Sequence, residues 1–243
     1  MLKRERQHFI LDQLREFGVV RVSDLTSEIQ VDPGTIRRDL TQLEQEGRLH
    51  RVHGGAVLQE QVFPNTPADQ STQSIAEAAA KFIPNSSVIF LGPGSITAAL
   101  VPFLQKHTHL TIVTNALDAA WRLCKPFTHT LHIIGGQVSA DFGIYGGLDA
   151  LNNMRFDWII LEAFGLDAEK GLTVENRGYA EIARELFKLS AQTLIVIAPE
   201  RIGKAGALFI APASEVDILI TGREAPNPSL WDLSELGIRI VLA

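Results

Sequence analysis

Residues 32–43 read DPGTIRRDLTQL and have the pattern of a short, capped helix. Asp32 is a residue type that accepts hydrogen bonds from the first backbone N–H groups of a helix, and Pro33 has the fixed φ that suits the first helical position. Three aliphatic residues follow at helical spacing: Ile36, Leu40 and Leu43. The pattern predicts a helix whose aliphatic stripe faces a core and whose other faces are polar.

Two further helices and a hairpin are predicted around this one. Residues 3–17 have apolar side chains at helical spacing. After a β-branched segment at 19–22, Ser23 is expected to cap a second helix. Residues 48–57 alternate apolar and basic side chains around a glycine pair, as a small hairpin does. Together these elements predict a winged helix-turn-helix domain over residues 1–58.

The charge of the chain is unevenly distributed. The net charge is -6, yet residues 1–58 hold nine basic and nine acidic residues and are neutral. The remainder of the chain, with 13 basic and 19 acidic residues, carries the whole negative charge. The first segment is therefore the relatively basic part, as expected of a domain that contacts nucleic acid.

Candidate DNA contacts lie on the third helix, at the helix starts and in the hairpin. They are polar or cationic residues and one proline: Ser23, Pro33, Thr35, Arg37, Arg38, Thr41, Gln42, Arg48, Arg51 and His53. Thr35 and the N–H groups of a helix start suit a phosphate, and an arginine in the major groove suits guanine. The alternative is that Arg37 and Arg38 form a solvated face and that Asp39 pairs with one of them.

This segment closely resembles the N-terminal domain of the DeoR family of bacterial transcription regulators. The resemblance spans Arg4 to Leu58 and rests on Thr35-Ile36-Arg37-Arg38-Asp39-Leu40, Leu43, Gly47 and Arg51-Val52-His53-Gly54-Gly55-Ala56. It implies a repressor of sugar-utilisation genes in which the third helix reads double-stranded operator DNA.

A linker and a second, larger domain follow. Residues 59–74 contain two prolines, several Gln and Ser and no periodicity, which is typical of a linker. From residue 75 to 243, apolar β-rich runs alternate with helical patterns, the first helix being expected at 75–82. The runs are apolar on both faces, which predicts an α/β domain with a mostly parallel sheet covered by helices on both sides.

Ligands of such sheets bind at the carboxyl ends of the strands, so the residues after each run are candidates for an effector site. They are Gly92, Gly94, Ser95, Ile96, Thr97, Thr114, Asn115, Gly135, Gly136, Glu162 and Gly165, with Lys204 as a nearby cation. Residues 94–97 have the glycine and hydroxyls of a phosphate-binding helix start. The alternative is that the glycines only form turns. The segment fits neither a Rossmann nor a Walker motif, and we predict no cofactor.

The second domain also resembles the DeoR family, whose effector domain is similar to ribose-5-phosphate-type isomerases and coenzyme A transferases. The matching residues are Gly94 to Thr97, Thr114-Asn115, Gly135-Gly136, Gly146, Phe164-Gly165, Gly171, Glu181 and Thr221. The resemblance implies that a phosphorylated sugar binds and changes the affinity for DNA. The chain departs from the family pattern in lacking an Asp at Gly92, a Lys near Ala183 and an Asp-x-x-Lys at residues 199–202. Lys204, Arg201 or Arg184 are candidates to replace the lost cations.

Three functions are compatible with these features. The first is a repressor that acts as a homodimer or homotetramer, because two half-sites require two DNA readers. The second is an enzyme, a sugar-phosphate isomerase or an acyl transferase, that has an accessory DNA-binding domain and uses Glu162 or Glu175 with Lys204. The third is a DNA-binding protein whose second domain binds no ligand. The single cysteine, Cys124, is expected in the core, and no metal site is predicted. Without an apolar run of about 18 residues or a signal peptide, we expect a cytoplasmic protein without a membrane partner.

Overall fold

The computed structural model describes residues 3–46, 48–58, 68–124 and 129–243. The chain divides into two compact units, Met1–Asn65 and Thr66–Ala243. Gly47, one of the residues on which the resemblance of the first segment rests, and the segment 59–67 of the predicted linker lie outside the described residues.

The first unit is a winged helix-turn-helix, as predicted. Its elements are α1 (Lys3–Phe17), β1 (Val19–Arg21), α2 (Val22–Ile29), α3 (Pro33–Gln45), β2 (Leu49–Val52) and β3 (Gly55–Leu58). The three strands form an antiparallel sheet in the order β1-β3-β2. The predicted aliphatic stripe of α3 is fully buried, together with Ile10 and Leu14 of α1 and Leu25 of α2.

The two expected helix caps in this unit differ in outcome. The Asp32 carboxylate accepts a hydrogen bond from the Thr35 N–H at 3.1 Å and caps α3 as predicted. Ser23 is not a cap, because α2 already begins at Val22 and the Ser23 hydroxyl donates to the neighbouring Asp24 carboxylate. The β-branched segment ends one residue earlier than expected, so Ser23 lies in the first turn of α2.

The second unit is built on a seven-stranded parallel sheet. Its elements are α4 (Gln70–Ala80), β4 (Val88–Leu91), α5 (Ser95–Leu104), β5 (Thr111–Thr114), α6 (Leu117–Leu123), β6 (Thr130–Ile133), β7 (Gln137–Val138), β8 (Ile144–Tyr145), β9 (Phe156–Glu162), β10 (Gly165–Asp167), β11 (Gly171–Val174), α7 (Arg177–Leu189), β12 (Ser190–Val196), β13 (Leu208–Ala211), β14 (Ile218–Thr221), α8 (Asn227–Glu235) and β15 (Arg239–Leu242). The parallel sheet has the order β15-β14-β12-β9-β4-β5-β6.

Alternate residues of the sheet enter two separate cores, as predicted for a sheet covered on both faces. On β9, Ile159 and Leu161 pack into the core that contains residues of α7 and α8. Trp158 and Ile160, which point the other way, pack into the core formed with α4, α5 and α6. The mostly parallel α/β domain is therefore confirmed.

Smaller features differ from expectation. Two short antiparallel sheets, β10-β11-β13 and β7-β8, were not predicted. Residues 70–74, predicted as the end of the linker, are the first turns of α4, because the Asp69 carboxylate accepts a hydrogen bond from the Thr72 N–H at 2.7 Å and starts the helix there. Cys124 is exposed at the end of α6 and is not a core residue. No helix among the described residues is long and apolar enough to cross a membrane.

The strand order marks where a ligand site is expected. From β4 the chain adds β5 and β6 on one side, and it then adds β9, β12, β14 and β15 on the other. The crevice at the carboxyl ends of β4 and β9 is therefore the topological switch point of the sheet. The turn into α5 follows β4, and Glu162 is the last residue of β9.

Candidate functional site

The outer face of α3 is the candidate DNA surface. Arg37 and Arg38 are exposed on it. Asp39, the next residue, is 3% exposed and forms a buried ion pair with Arg6 of α1. The alternative in which Asp39 pairs with Arg37 or Arg38 is therefore not what the structure has. Arg37 and Arg38 are left as the exposed charges of the first two turns of α3.

The two arginines differ in how they are held. Arg38 folds back over the first turn of α3, donating from Nε to the Gly34 carbonyl at 3.2 Å and from Nη2 to the Thr35 hydroxyl at 3.3 Å. Because Asp32 accepts from the Thr35 N–H, that N–H is not free for a phosphate. Within the described residues, no hydrogen bond or ion pair holds the Arg37 side chain, which extends from the exposed face.

Hydrogen bonds connect the β2-β3 hairpin to α3. Arg51 Nη1 donates to the Thr41 hydroxyl at 2.9 Å, and the Arg51 N–H donates to the Glu44 carboxylate at 2.9 Å. Gln42 Nε2 donates to the Glu46 carboxylate at 2.8 Å. The other candidate residues of this surface are exposed: Ser23, Pro33, Arg48 and His53. The structure thus places the predicted residues of α3 and of the hairpin on one small unit, and their contact with DNA stays a prediction.

In the second unit, the carboxylate of Glu162 sits on the N-terminus of α5. Its Oε1 accepts from the Ser95 hydroxyl at 3.0 Å, and its Oε2 accepts from the N–H of Ile96 at 2.6 Å and, more weakly, from that of Thr97 at 3.4 Å. These are the groups that the sequence predicts for an effector phosphate. An anionic group of the chain itself already accepts their hydrogen bonds.

Gly94 makes this contact sterically possible. Its φ is +151°, and a Cβ at this position would lie 2.3 Å from Oε2 of Glu162. Any side chain at residue 94 would displace the carboxylate from α5. The absence of a side chain at Gly94 therefore allows the Glu162 carboxylate to reach the N-terminus of α5.

Burial governs the ionisation of this site. It raises the pKa of Glu162, although the hydrogen bonds from Ile96, Ser95 and Thr97 oppose the shift by stabilising the charged form. Burial also raises the pKa of Tyr179, whose hydroxyl donates to the Glu162 carbonyl at 2.8 Å. Burial raises the pKa of Tyr145 as well, and its hydroxyl donates to the Asp141 carboxylate at 2.7 Å. Both phenols are thus neutral hydrogen-bonding groups near neutral pH.

A cleft of about 280 Å³ opens beside Glu162. Its lining combines carboxylates, phenols and one cation: Pro93, Gly94, Asp141, Tyr145, Glu162, Ala163, Phe164, Val174, Glu175, Asn176, Tyr179 and Arg201. The guanidinium carbon of Arg201 lies 4.0 Å from the centre of the Phe164 ring. Such a cleft offers many acceptors for hydroxyl groups and one planar cationic donor.

Only part of the predicted effector set lines this cleft. Gly94 and Glu162 do, and Gly92 lies beneath it, where a Cβ would meet the Tyr179 hydroxyl at 3.0 Å. The Ser95, Ile96 and Thr97 groups point to Glu162. Leu161 and Tyr179 therefore take the space that an Asp side chain at residue 92 needs, since a Cβ there would lie 2.9 Å from Leu161 Cδ2.

The remaining predicted residues have structural contacts away from the cleft. Thr114 donates to the Leu91 carbonyl at 2.6 Å, and Asn115 donates to the Ile144 carbonyl at 3.1 Å. Gly136 approaches the backbone of Tyr145, and Gly165 approaches the backbone of Lys204. Gly135 and the exposed Lys204 are likewise not among the lining residues. Their role in effector binding stays a prediction.

Several lining residues were not in the predicted set. Asp141, Tyr145, Asn176 and Tyr179 come from segments that are distant in sequence and carry no motif. Of the three cations considered as replacements, Arg201 lines the cleft, whereas Arg184 donates to the Phe209 carbonyl elsewhere. The usable sequence signal for Arg201 was its place in the segment 199–202, which follows β12. Among the described residues no cluster of His, Cys, Asp or Glu suits a metal ion.

Replacing Glu162 by glutamine tests the ionisation of the site. Because the pKa of Glu162 is raised on folding, the stability it contributes is fully present below the ordinary glutamate pKa and is lost as the pH rises through the raised value. Glu162→Gln removes this titration. The free energy of unfolding of the wild type relative to the variant should therefore fall with rising pH, by about 1.4 kcal/mol for each unit of pKa shift.

Urea denaturation at several pH values measures this difference. The three tryptophans, Trp121, Trp158 and Trp231, all lie in the second unit, so their fluorescence reports its unfolding. The variant leaves the other ionisable groups that line the cleft unchanged: Asp141, Tyr145, Glu175, Tyr179 and Arg201. A stability difference that does not vary with pH would contradict the raised pKa.

Comparison with known proteins identifies relatives over the whole chain. Residues 6–62 match the model of the DeoR-like helix-turn-helix domain, and residues 69–223 match that of the DeoR C terminal sensor domain. The chain is 30% identical to the glycerol-3-phosphate regulon repressor of Escherichia coli strain K12, covering 100% of both chains. It is 27% identical to a putative aga operon transcriptional repressor of Escherichia coli O157:H7, over 98% of this chain and 93% of that one.

A solved structure is also similar to this chain. The probable sor operon regulator from Shigella flexneri matches with a TM-score of 0.46 and 11% identity, over 70% of this chain and 91% of that one.

Proposed function

The chain belongs to the DeoR family of transcription regulators, and from this premise we propose that it is an operator-binding repressor of carbohydrate-utilisation genes that a phosphorylated sugar releases from DNA. The observation that carries the proposal is the burial of Asp39 against Arg6. It takes the acidic side chain beside the two arginines off the outer face of α3 and leaves Arg37 and Arg38 facing outward. A helix with this exposed charge suits the major groove.

The candidate contacts divide into two roles. Arg37, whose side chain no other described residue holds, reads base edges, and Arg38 with Thr35 and Arg51 positions α3 on the phosphate backbone. The repressor acts as a homodimer or homotetramer, since two half-sites about 34–36 Å apart require two DNA readers. The effector binds the cleft beside Glu162 and stabilises one arrangement of the assembly, which changes the spacing of these readers.

The chain acts as a regulator and not as an isomerase. Enediolate chemistry needs a carboxylate base and a cation on the same substrate. The sequence assigned this role to Glu162 or Glu175 with Lys204. Lys204 is exposed and does not line the cleft, where the cation among the lining residues is Arg201.

The proposal is tested with the full chain and an operator selected from a pool of random duplexes. Fluorescence anisotropy measures the Kd for this duplex with and without each member of a panel of phosphorylated sugars. We expect one sugar to weaken binding at least tenfold, in line with typical coupling energies of about 1–3 kcal/mol, and none to be turned over. Failure to select any duplex would refute the DNA-binding function. Release by no sugar would favour a second domain without a ligand, and turnover of ribose 5-phosphate would favour the enzyme.

A further inference from the structure

The N-terminus of α5 is already occupied by a negative charge. A helix start of this kind binds phosphate through free N–H groups and its positive dipole. In this chain, Glu162 takes the Ser95 hydroxyl and the N–H groups of Ile96 and Thr97. A phosphate at this position would have to displace the carboxylate, because two anions cannot share the same donors at contact distance.

We propose that Glu162 closes the N-terminus of α5 to phosphate, so that the effector lies in the cleft with its hydroxyl-bearing end toward Glu162 and its phosphate toward Arg201. This inference rests on the proposed function and specifies how its effector is recognised. It makes Glu162 the residue that sets the orientation of the ligand.

Arg201 has the geometry of an anion anchor. Its guanidinium is stacked on the Phe164 ring, with 4.0 Å between the guanidinium carbon and the ring centre. Within the described residues no carboxylate lies within 4.0 Å of its nitrogen atoms, although Glu162 and Glu175 line the same cleft. Stacking fixes the plane and leaves the edge of the guanidinium open, where two parallel N–H groups bind two phosphate oxygens.

The inner part of the cleft is suited to hydroxyl groups. Glu162 accepts three hydrogen bonds through its two oxygens and has lone-pair capacity for a further donor. Asp141 accepts from the Tyr145 hydroxyl and from the Gly143 N–H, and it also borders the cleft. These carboxylates repel a phosphate and accept from the hydroxyls of a sugar, so the charge pattern agrees with the proposed orientation.

The first test uses inorganic phosphate and needs no knowledge of the effector. Isotope-labelled full chain is titrated with phosphate while the amide resonances of Ile96 and Thr97 are followed in the wild type, Glu162→Ala and the control Glu169→Ala. We expect Glu162→Ala to bind phosphate at these amides with a Kd at least tenfold lower than the wild type. The control removes an exposed carboxylate of the second unit that does not line the cleft, and it should behave as the wild type.

Two outcomes would contradict the proposal that Glu162 closes the N-terminus of α5 to phosphate. One is a wild type whose Ile96 and Thr97 amides respond to phosphate at the same concentration as those of Glu162→Ala. The other is a folded Glu162→Ala variant that binds no phosphate there. If that variant does not fold, the wild-type titration alone still decides, because saturation of its Ile96 amide by phosphate contradicts the inference.

The second test addresses orientation with matched pairs of probes, such as ribose 5-phosphate with ribose and fructose 6-phosphate with fructose. For a phosphorylated sugar that binds, Arg201→Ala should raise the Kd at least tenfold and should remove the preference over the unphosphorylated partner. An unchanged preference would overturn the role of Arg201. If no phosphorylated sugar binds, the effector of the proposed function is wrong, whereas the phosphate titration still decides whether Glu162 closes α5.

Discussion

Replacing Arg37 by alanine is expected to weaken binding to the selected operator by about 5- to 150-fold per half-site, which corresponds to the loss of about 1–3 kcal/mol for a bidentate contact to a base. Arg37 projects from the exposed face of α3, and no other described residue holds its side chain. The loss should therefore be greatest for the preferred base at one operator position. Anisotropy with duplexes substituted at each position measures both the affinity and the specificity.

Arg38→Ala is expected to affect operator binding differently from Arg37→Ala. Because the Arg38 side chain is held over the first turn of α3, its contact is expected with a phosphate. Affinity should fall evenly across sequences, and the slope of log K against log salt should decrease by about one. Arg223→Ala removes an exposed charge from the second unit and serves as the control. If Arg37→Ala and Arg38→Ala both bind the operator as the wild type does, α3 is not the DNA reader.

Replacing Asp39 by alanine is expected to destabilise the first unit by about 3–5 kcal/mol, because it removes a buried carboxylate to which Arg6 donates. The Asp39 and Arg6 side chains are only 4% and 10% exposed, so water cannot replace the lost contact. This is a large share of the roughly 5–15 kcal/mol that stabilises a typical domain. Far-ultraviolet circular dichroism and amide exchange of α1 and α3 during urea denaturation measure the loss.

The second unit provides an internal control for this variant, since the tryptophans of the chain lie only there and their unfolding transition should not move. A double variant, Arg6→Met with Asp39→Leu, replaces the pair by apolar side chains and should recover most of the stability. An Asp39→Ala chain as stable as the wild type would show that the buried pair contributes nothing. Operator binding by the double variant would further separate the stability of α3 from its recognition of DNA.

Local patterns were sufficient for most of the fold. The Asp32 cap, the aliphatic stripe of α3 and the hairpin at 48–57 depend on contacts between residues close in sequence, so spacing alone predicted them. The parallel sheet was predicted because strands buried on both faces read as apolar runs. Errors occurred where two local signals compete, as at Ser23, where the helix begins one residue earlier, and at 70–74, where polar composition concealed the cap at Asp69.

For the candidate sites, local sequence patterns predicted less, and contacts between distant segments decided more. Sequence reasoning selected Gly94 to Thr97 and Glu162 as separate strand-end candidates, but it had no means of pairing a carboxylate with a helix start 66 residues away. The same is true of Asp39 and Arg6, which are separated by 33 residues. Tyr145 and Tyr179 belong to no motif, and Arg201 was one of three candidate replacement cations. These three residues meet in one cleft because the strand order reverses between β4 and β9.

The amino-acid sequence by itself thus determined the two kinds of domain, the candidate helix for DNA reading and the family, because helical spacing, caps and apolar runs are properties of neighbouring residues. Only the tertiary structure decided which charges face outward from α3 and which anion occupies the start of α5. Those outcomes depend on burial and hydrogen bonds between segments that the fold brings together. The free energy of a charged group is set by such surroundings and not by its neighbours along the chain.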